Sequence, residues 1–293
     1  MKTLNAIWNK ISYETVLFAI FLFQFLTKRA LDLQAWSAAW NAMDYSMGMG
    51  SRLFIGSIYR LFYGEYLDLT VAYKYVAVGI MITIFVLSFT LGKLIRISYR
   101  NFPEYRYVII GTVMIYMVAP WSIGYVWNTA NLGRFDVYMF LIGLLAIAVS
   151  LLIKNVYIRY LFYTFLSVIG LAIHQGFAFL YYPMILFIMC YEVFNHNKLH
   201  IREFIITIFS GIITVAVAVF FQFFSHINFD NAVDAINAIK QRTNLPVNDW
   251  AIEIEYFGGL DYQLKEITPY FFANEHPWVH MALILLLLTP ALA

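Results

Sequence analysis

The chain has 293 residues, 62% of them apolar, 19% aromatic and only 12% charged, with a net charge of +2. A soluble domain carries about 25% charged residues, so this composition excludes one and predicts an all-α, polytopic transmembrane bundle. The small net charge, with no Lys/Arg-rich block apart from the apolar runs, sets nucleic acid aside. The single cysteine, Cys190, excludes a disulfide framework and a Cys-based metal site within one chain.

The first apolar run, 13–26, ends in Thr27-Lys28-Arg29-Ala30 with further runs behind it, so it reads as a retained span and not as a cleaved signal peptide. It is short against the roughly 20 residues that cross a bilayer, and Trp8 and Ile11 before it, or Ala30 and Leu31 after it, would extend it. Further runs at 69–94, 107–127, 135–153, 157–173, 177–194 and 204–224 bring the expectation to seven spans. An eighth run, 281–293, is too short to cross unaided, and reads either as a re-entrant or interfacial piece or as the start of an eighth span in a truncated copy of a longer protein. The whole chain, 1–293, reads as one integral membrane domain with two long segments outside the spans, 28–68 and 225–280. Within the second, Asn231–Lys240 has the pattern of a short helix.

Lys and Arg beside the spans set the orientation. Lys2 and Lys10, then Lys93, Arg96, Arg100 and Arg106, then Lys154 and Arg159, then Lys198 and Arg202 fall on one side, which predicts a cytoplasmic N-terminus and a multi-pass protein of the cell membrane. The split is ten of the 19 basic residues against nine, because the long outer segments also carry base. Aromatics interleave with the basic residues of 28–68, which favours an interfacial helix there.

Three outer-side clusters carry residue types suited to chemistry. The first is Met43-Asp44-Tyr45-Ser46-Met47-Gly48-Met49-Gly50-Ser51-Arg52. An Arg fork binds phosphate oxygens, a nearby Asp can accept a hydroxyl proton, and two glycines would place the backbone close to a ligand, such as a sugar phosphate, between the two. The plainer alternative is that Asp44 and Arg52 neutralise each other and the glycines only make a turn. The second is Asn128-Thr129-Ala130-Asn131-Leu132-Gly133-Arg134-Phe135-Asp136. Arg134 and Asp136, two residues apart, would not face each other on a helix, and Arg134 either lines a cavity or snorkels to the headgroups. The third is His174 in Ala172-Ile173-His174-Gln175-Gly176-Phe177, an ionisable ring in an apolar hairpin, functional or satisfied by a neighbouring carbonyl.

No ligand spacing predicts a metal, and no phosphate loop, nucleophile elbow or dinucleotide fingerprint predicts a cofactor. Trp36, Trp40, Trp121 and Trp127 lie toward the outer face, as an interfacial belt or as platforms for sugar rings.

The stretch from Gly133-Arg134 through the following span, the basic turn at Lys154 and Arg159, the next span and then Ile173-His174-Gln175-Gly176-Phe177 with Pro183 after it resembles the EpsG/Wzy-like exopolysaccharide polymerases. The likeness covers about 60 residues. The Asp44–Arg52 segment is instead similar to the first outer loop of GT-C type membrane glycosyltransferases. Both resemblances imply transfer of a sugar or oligosaccharide from a polyprenyl-phosphate-linked donor to a glycan acceptor, on the extracytoplasmic face of the membrane lipid. They imply Asp44 and His174 as catalytic groups and Arg52, Arg134 and Asp136 as substrate-binding groups. A transporter or flippase of lipid-linked glycans is the rival class; it would place such charges near the bilayer midplane on broken helices.

Overall fold

The structure, a computed structural model, describes residues 12–118, 123–128, 131–194 and 200–258, together with 262, 265 and 269. The expected eighth run, Lys2, Lys10, Trp8, Trp121 and Lys198 lie outside the described residues.

The chain is predominantly helical. Helix α1 (Tyr13–Lys28) leads to two short helices, α2 (Ala35–Ala42) and α3 (Leu53–Tyr63), joined through a two-residue strand β1 (Gly48–Met49). The long α4 (Leu69–Asn101) follows, then α5 (Arg106–Val118), a 3-10 turn at Ile123–Trp127, α6 (Asp136–Leu152) and α7 (Val156–Ile173). The short α8 (Phe177–Leu180), α9 (Tyr182–Val193) and α10 (Ile201–Phe224) complete the apolar part. Strand β2 (His226–Ile227), α11 (Ala232–Gln241) and α12 (Asp249–Phe257) come last.

Among the described residues α4, α7 and α10 are long and apolar enough to cross a membrane, at 33, 18 and 24 residues. The seven runs expected from the sequence are thus not all of spanning length. Run 177–194 breaks at Tyr181, because Pro183 opens α9 without an N–H to continue the ladder from α8. Run 107–127 holds α5 as far as Val118 and the 3-10 turn from Ile123, and residues 119–122 lie outside the described residues. Helix α6, at 17 residues, falls just short.

The apolar helices pack in a series: α1 on α4, α4 on α6, α6 on α7 and α7 on α10, with α9 against α6 and α10. Close approach rests on small residues. A Cβ at Gly79 would lie 2.6 Å from the ring of Tyr138, so α4 and α6 meet at that glycine. Thr83, Ser88, Ser167 and Thr214 are buried in their helices and donate to the carbonyl one turn back, which satisfies each hydroxyl locally. Thr164 donates to Ser210 at 2.8 Å and ties α7 to α10. The outward faces are apolar, with Phe23, Phe85, Phe165, Phe187 and Phe209 all more than half exposed, a surface that only lipid suits.

One end of the bundle carries a cap built from both long segments. Strands β1 and β2 pair antiparallel, Gly48 opposite Ile227 and Met49 opposite His226. A Cβ at Gly48 would sit 2.3 Å from the carbonyl oxygen of His226, so the close backbone approach this glycine permits is to β2. Leu67 N–H donates to Arg242 O at 2.7 Å, Asn244 Nδ2 donates to Asp68 at 2.8 Å, and Asn248 N–H donates to Ala35 O at 3.1 Å. Helix α11 starts on its Asn231 cap as the sequence pattern requires, and α12 starts on Asn248. Ile239, Ala251 and Ile252 are fully buried, and α12 lies on both α2 and β2. Helix α3 crosses the chain so closely that a Cβ at Gly56 would come 1.8 Å from Met43 O. Its outer side, with Leu61 and Phe62, is exposed and apolar.

Candidate functional site

Three stretches of the cap meet the end of α7. Arg52 is the residue before the first turn of α3, His174 ends α7, Trp40 lies in α2, and Glu255 lies in α12. Arg52 Nη1 donates to Glu255, and Nη2 lies 3.0 Å from His174 Nε2. The guanidinium carbon is 4.7 Å from the Trp40 ring centre, a cation–π stack. Trp40 also meets the rings of Phe135 at 5.9 Å and His174 at 6.3 Å.

The loop before α6 is docked against α2. Asn41 Nδ2 donates to Gly133 O at 3.0 Å, and Gly133, at φ +88°, takes a conformation that suits glycine. Arg134 follows, with Nε donating to Asp136 at 2.7 Å and Nη1 to Asn131 at 3.2 Å. Arg134 and Asp136 therefore do face each other, against expectation. The spacing rule applies within a helix, and Arg134 precedes α6, whose first residue is Asp136.

His174 is held by its backbone neighbour, since Gly176 N–H donates to Nδ1 at 2.8 Å. Burial keeps the ring pKa well below its ordinary value, and the Arg52 and Arg134 guanidiniums add to the effect. The ring is neutral at pH 7, with Nδ1 as acceptor and the proton on Nε2. Nε2–H then points at Arg52, which has only donors. The other tautomer would merely move the clash to Gly176 N–H. Buried Trp40 Nε1 and Arg52 Nε add two more donors that have no partner among the described residues. Glu255 offsets the charge of Arg52, but the Arg52–His174 contact sets donor against donor, and an oxyanion beside the two would accept from both.

A neutral His174 has a consequence for stability. The unfolded chain binds a proton near pH 6.5 and the folded chain does not, so stability falls as pH drops below about 6.5, by up to about 1.4 kcal/mol per pH unit. Thermal unfolding in detergent between pH 5 and 8 should show this slope, and the slope should shrink in His174→Gln. Equal slopes in the two proteins would mean that the ring is protonated in the fold.

Asp44 lies in a second cluster. It is 3% exposed, accepts from Ser46 N–H at 2.7 Å and Arg60 at 2.8 Å, and accepts from Arg242 at 3.1 Å. Burial pushes its carboxyl up, but the hydrogen bonds from Ser46 and the Arg60 guanidinium hold it below the usual value. Asp44 and Arg52 thus each have other partners and do not neutralise each other. The structure places Arg52 against His174, leaves Arg134 on Asp136 and Asn131 but near enough to act on the ring's charge, and gives Asp44 its own pair of arginines. A cleft of about 420 Å³ beside it is lined by Asp44, Ser46, Arg60 and Glu65, among others.

Glu255, Arg60 and Arg242 were not singled out by the sequence. Glu255 was one of eight acidic residues in its segment, with nothing local to mark it. Trp40 and Trp127 are 6% and 1% exposed, so both belong to the core and not to a belt. Trp127 packs on Phe25, their rings 5.8 Å apart.

The chain matches no family model, no curated protein and no solved structure.

Proposed function

We propose that this protein is a multi-pass membrane glycosyltransferase or polysaccharide polymerase that uses a polyprenyl-phosphate-linked sugar on the extracytoplasmic face. In this reading seven or eight segments cross the membrane, the N-terminus is cytoplasmic, and the cap is extracytoplasmic. The charge distribution supports it: Lys93, Arg96, Arg100, Lys154 and Arg159 lie at the bundle end opposite the cap. Arg52 and Arg134 would hold the donor phosphate, with Asp136 positioning Arg134, and neutral His174 would donate a hydrogen bond to the departing phosphate oxygen. Trp40 would close the floor. Asp44 is assigned to holding the cap.

The observation that carries the reading is the junction of Arg52, His174 and Trp40, whose unpartnered donors suit an anion's oxygens even with Glu255 already on Arg52. Its position, where the cap meets the end of α7, suits transfer better than transport, whose sites lie near the bilayer midplane. The test is glycan assembly in cells whose own copy is replaced by Arg52→Ala, Arg134→Ala or His174→Ala. Each should stop assembly with the protein still in the membrane. Intact assembly in all three would sink the proposal. Movement of labelled polyprenyl-linked sugar across proteoliposomes, with no new glycosidic product, would favour the flippase class.

A further inference from the structure

We infer that Glu255 is the proton acceptor of the transfer step, and that Arg52 masks it until a donor phosphate arrives. The inference rests on the transferase reading above. Glu255 is 8% exposed, and Arg52 is its ion-pair partner. Beside its Oε2 stands Gly50, where an added Cβ would lie 3.9 Å from that oxygen and 3.5 Å from the Leu53 side chain, so a glycine and an aliphatic group, and no further hydrogen-bond donor among the described residues, border the carboxylate there.

Arg52 is shared. One of its amino groups holds Glu255, the other faces His174 at 3.0 Å, and Nε is buried without a partner among the described residues. An incoming phosphate monoester or diester offers oxygens to the whole fork, and the planar guanidinium binds them best in pairs. Each N–H has one strong acceptor at a time, so a bound phosphate weakens the bond to Glu255. The freed carboxylate oxygen is then an acceptor inside the same site.

The step balances as follows. The acceptor hydroxyl oxygen forms a bond to the anomeric carbon, and the bond from that carbon to the phosphate oxygen breaks. The electron pair leaves on the phosphate, where Arg52 and Arg134 stabilise it, and the hydroxyl proton passes to Glu255. Asp44 is the poorer base because two guanidiniums and Ser46 N–H already occupy its oxygens. Asp136 is engaged by Arg134. Masking also keeps the carboxylate from activating water before a donor is present.

The experiment is equilibrium binding of farnesyl phosphate, with inorganic phosphate as a second probe, to the full chain in lipid nanodiscs. It is paired with glycan assembly in cells lacking the native copy. In Glu255→Gln the competitor for Arg52 is neutral, so farnesyl phosphate should bind several-fold more tightly while transfer falls by about 10²–10⁴-fold, the usual contribution of a general base. Arg52→Ala should abolish binding. Tighter binding with lost turnover separates a base from a merely structural carboxylate, whose loss would weaken both. Should Glu255→Gln fail to fold, Glu255→Asp, which draws the charge back from Arg52, should still bind more tightly and retain some transfer. Unchanged or weaker binding, or full turnover in Glu255→Gln, overturns the inference and leaves the transferase reading standing. If the wild-type chain binds neither probe, both fall; if it binds only inorganic phosphate, the site takes free phosphate and the lipid-donor reading falls with the inference.

Discussion

Arg52→Ala is expected to destabilise the protein by about 3–5 kcal/mol, the penalty for stranding a buried carboxylate. Arg52 and Glu255 side chains are 18% and 9% exposed, so little solvent screens the loss. The change also removes the stack on Trp40 and the contact with His174. Thermal unfolding in detergent gives the comparison, and the double variant Arg52→Ala/Glu255→Ala gives the control. Removing both charges should recover much of the lost stability, because no unpaired charge then remains. Arg52→Lys should fall between, since it keeps the charge but loses the fork that reaches Glu255 and His174 together. A loss below about 1 kcal/mol in Arg52→Ala would place the ion pair among exposed ones and remove the reason to regard Glu255 as held.

What the sequence made legible was set by local signals. Apolar runs marked the helices, and an ionisable ring in an apolar hairpin marked His174, which lies against Arg52. The pairings themselves were not legible. Arg52 meets Glu255 across 203 residues and Asp44 meets Arg242 across 198, and nothing in either short motif encodes its distant partner. Asp44 and Arg52 invited pairing because they are close in sequence, yet β1 lies between them and is held by β2. Gly48 permits a close backbone approach to β2, whereas a Cβ at Gly50 would meet only the Leu53 side chain at 3.5 Å, and neither partner is encoded in the motif. Run length overestimated continuous helix where Pro183 restarts the ladder, and Trp40 and Trp127, read as belt or sugar platform, are core because Trp40 packs on Phe135 and His174 and Trp127 packs on Phe25. The coupling of segments 28–68 and 225–280 into one cap is the main feature that only the structure supplies.

Asp44→Ala is expected to loosen that cap and to cost about 2–3 kcal/mol. Hydrogen bonds to charged groups contribute about 1.5–3 kcal/mol each, discounted here because Arg60 and Arg242 are 27% and 31% exposed and water compensates part of the loss. The carboxylate is the acceptor that joins α3 to the end of α11, so amide exchange in β2, α11 and α12 should accelerate while α4, α7 and α10 keep their protection. The pH dependence has a definite sign. The Asp44 carboxyl is held below its unfolded value, so its stabilisation is complete above about pH 4 and is lost as pH falls through the lower folded value. Asp44→Asn should behave as the wild type does at acid pH, keeping the acceptor for Ser46 N–H but losing the charge that gathers the two arginines. Loss of glycan assembly in Asp44→Asn should then scale with loss of cap protection. An Asp44→Asn protein whose cap stays fully protected while transfer stops would instead make Asp44 the base and leave Glu255 as its structural counterpart.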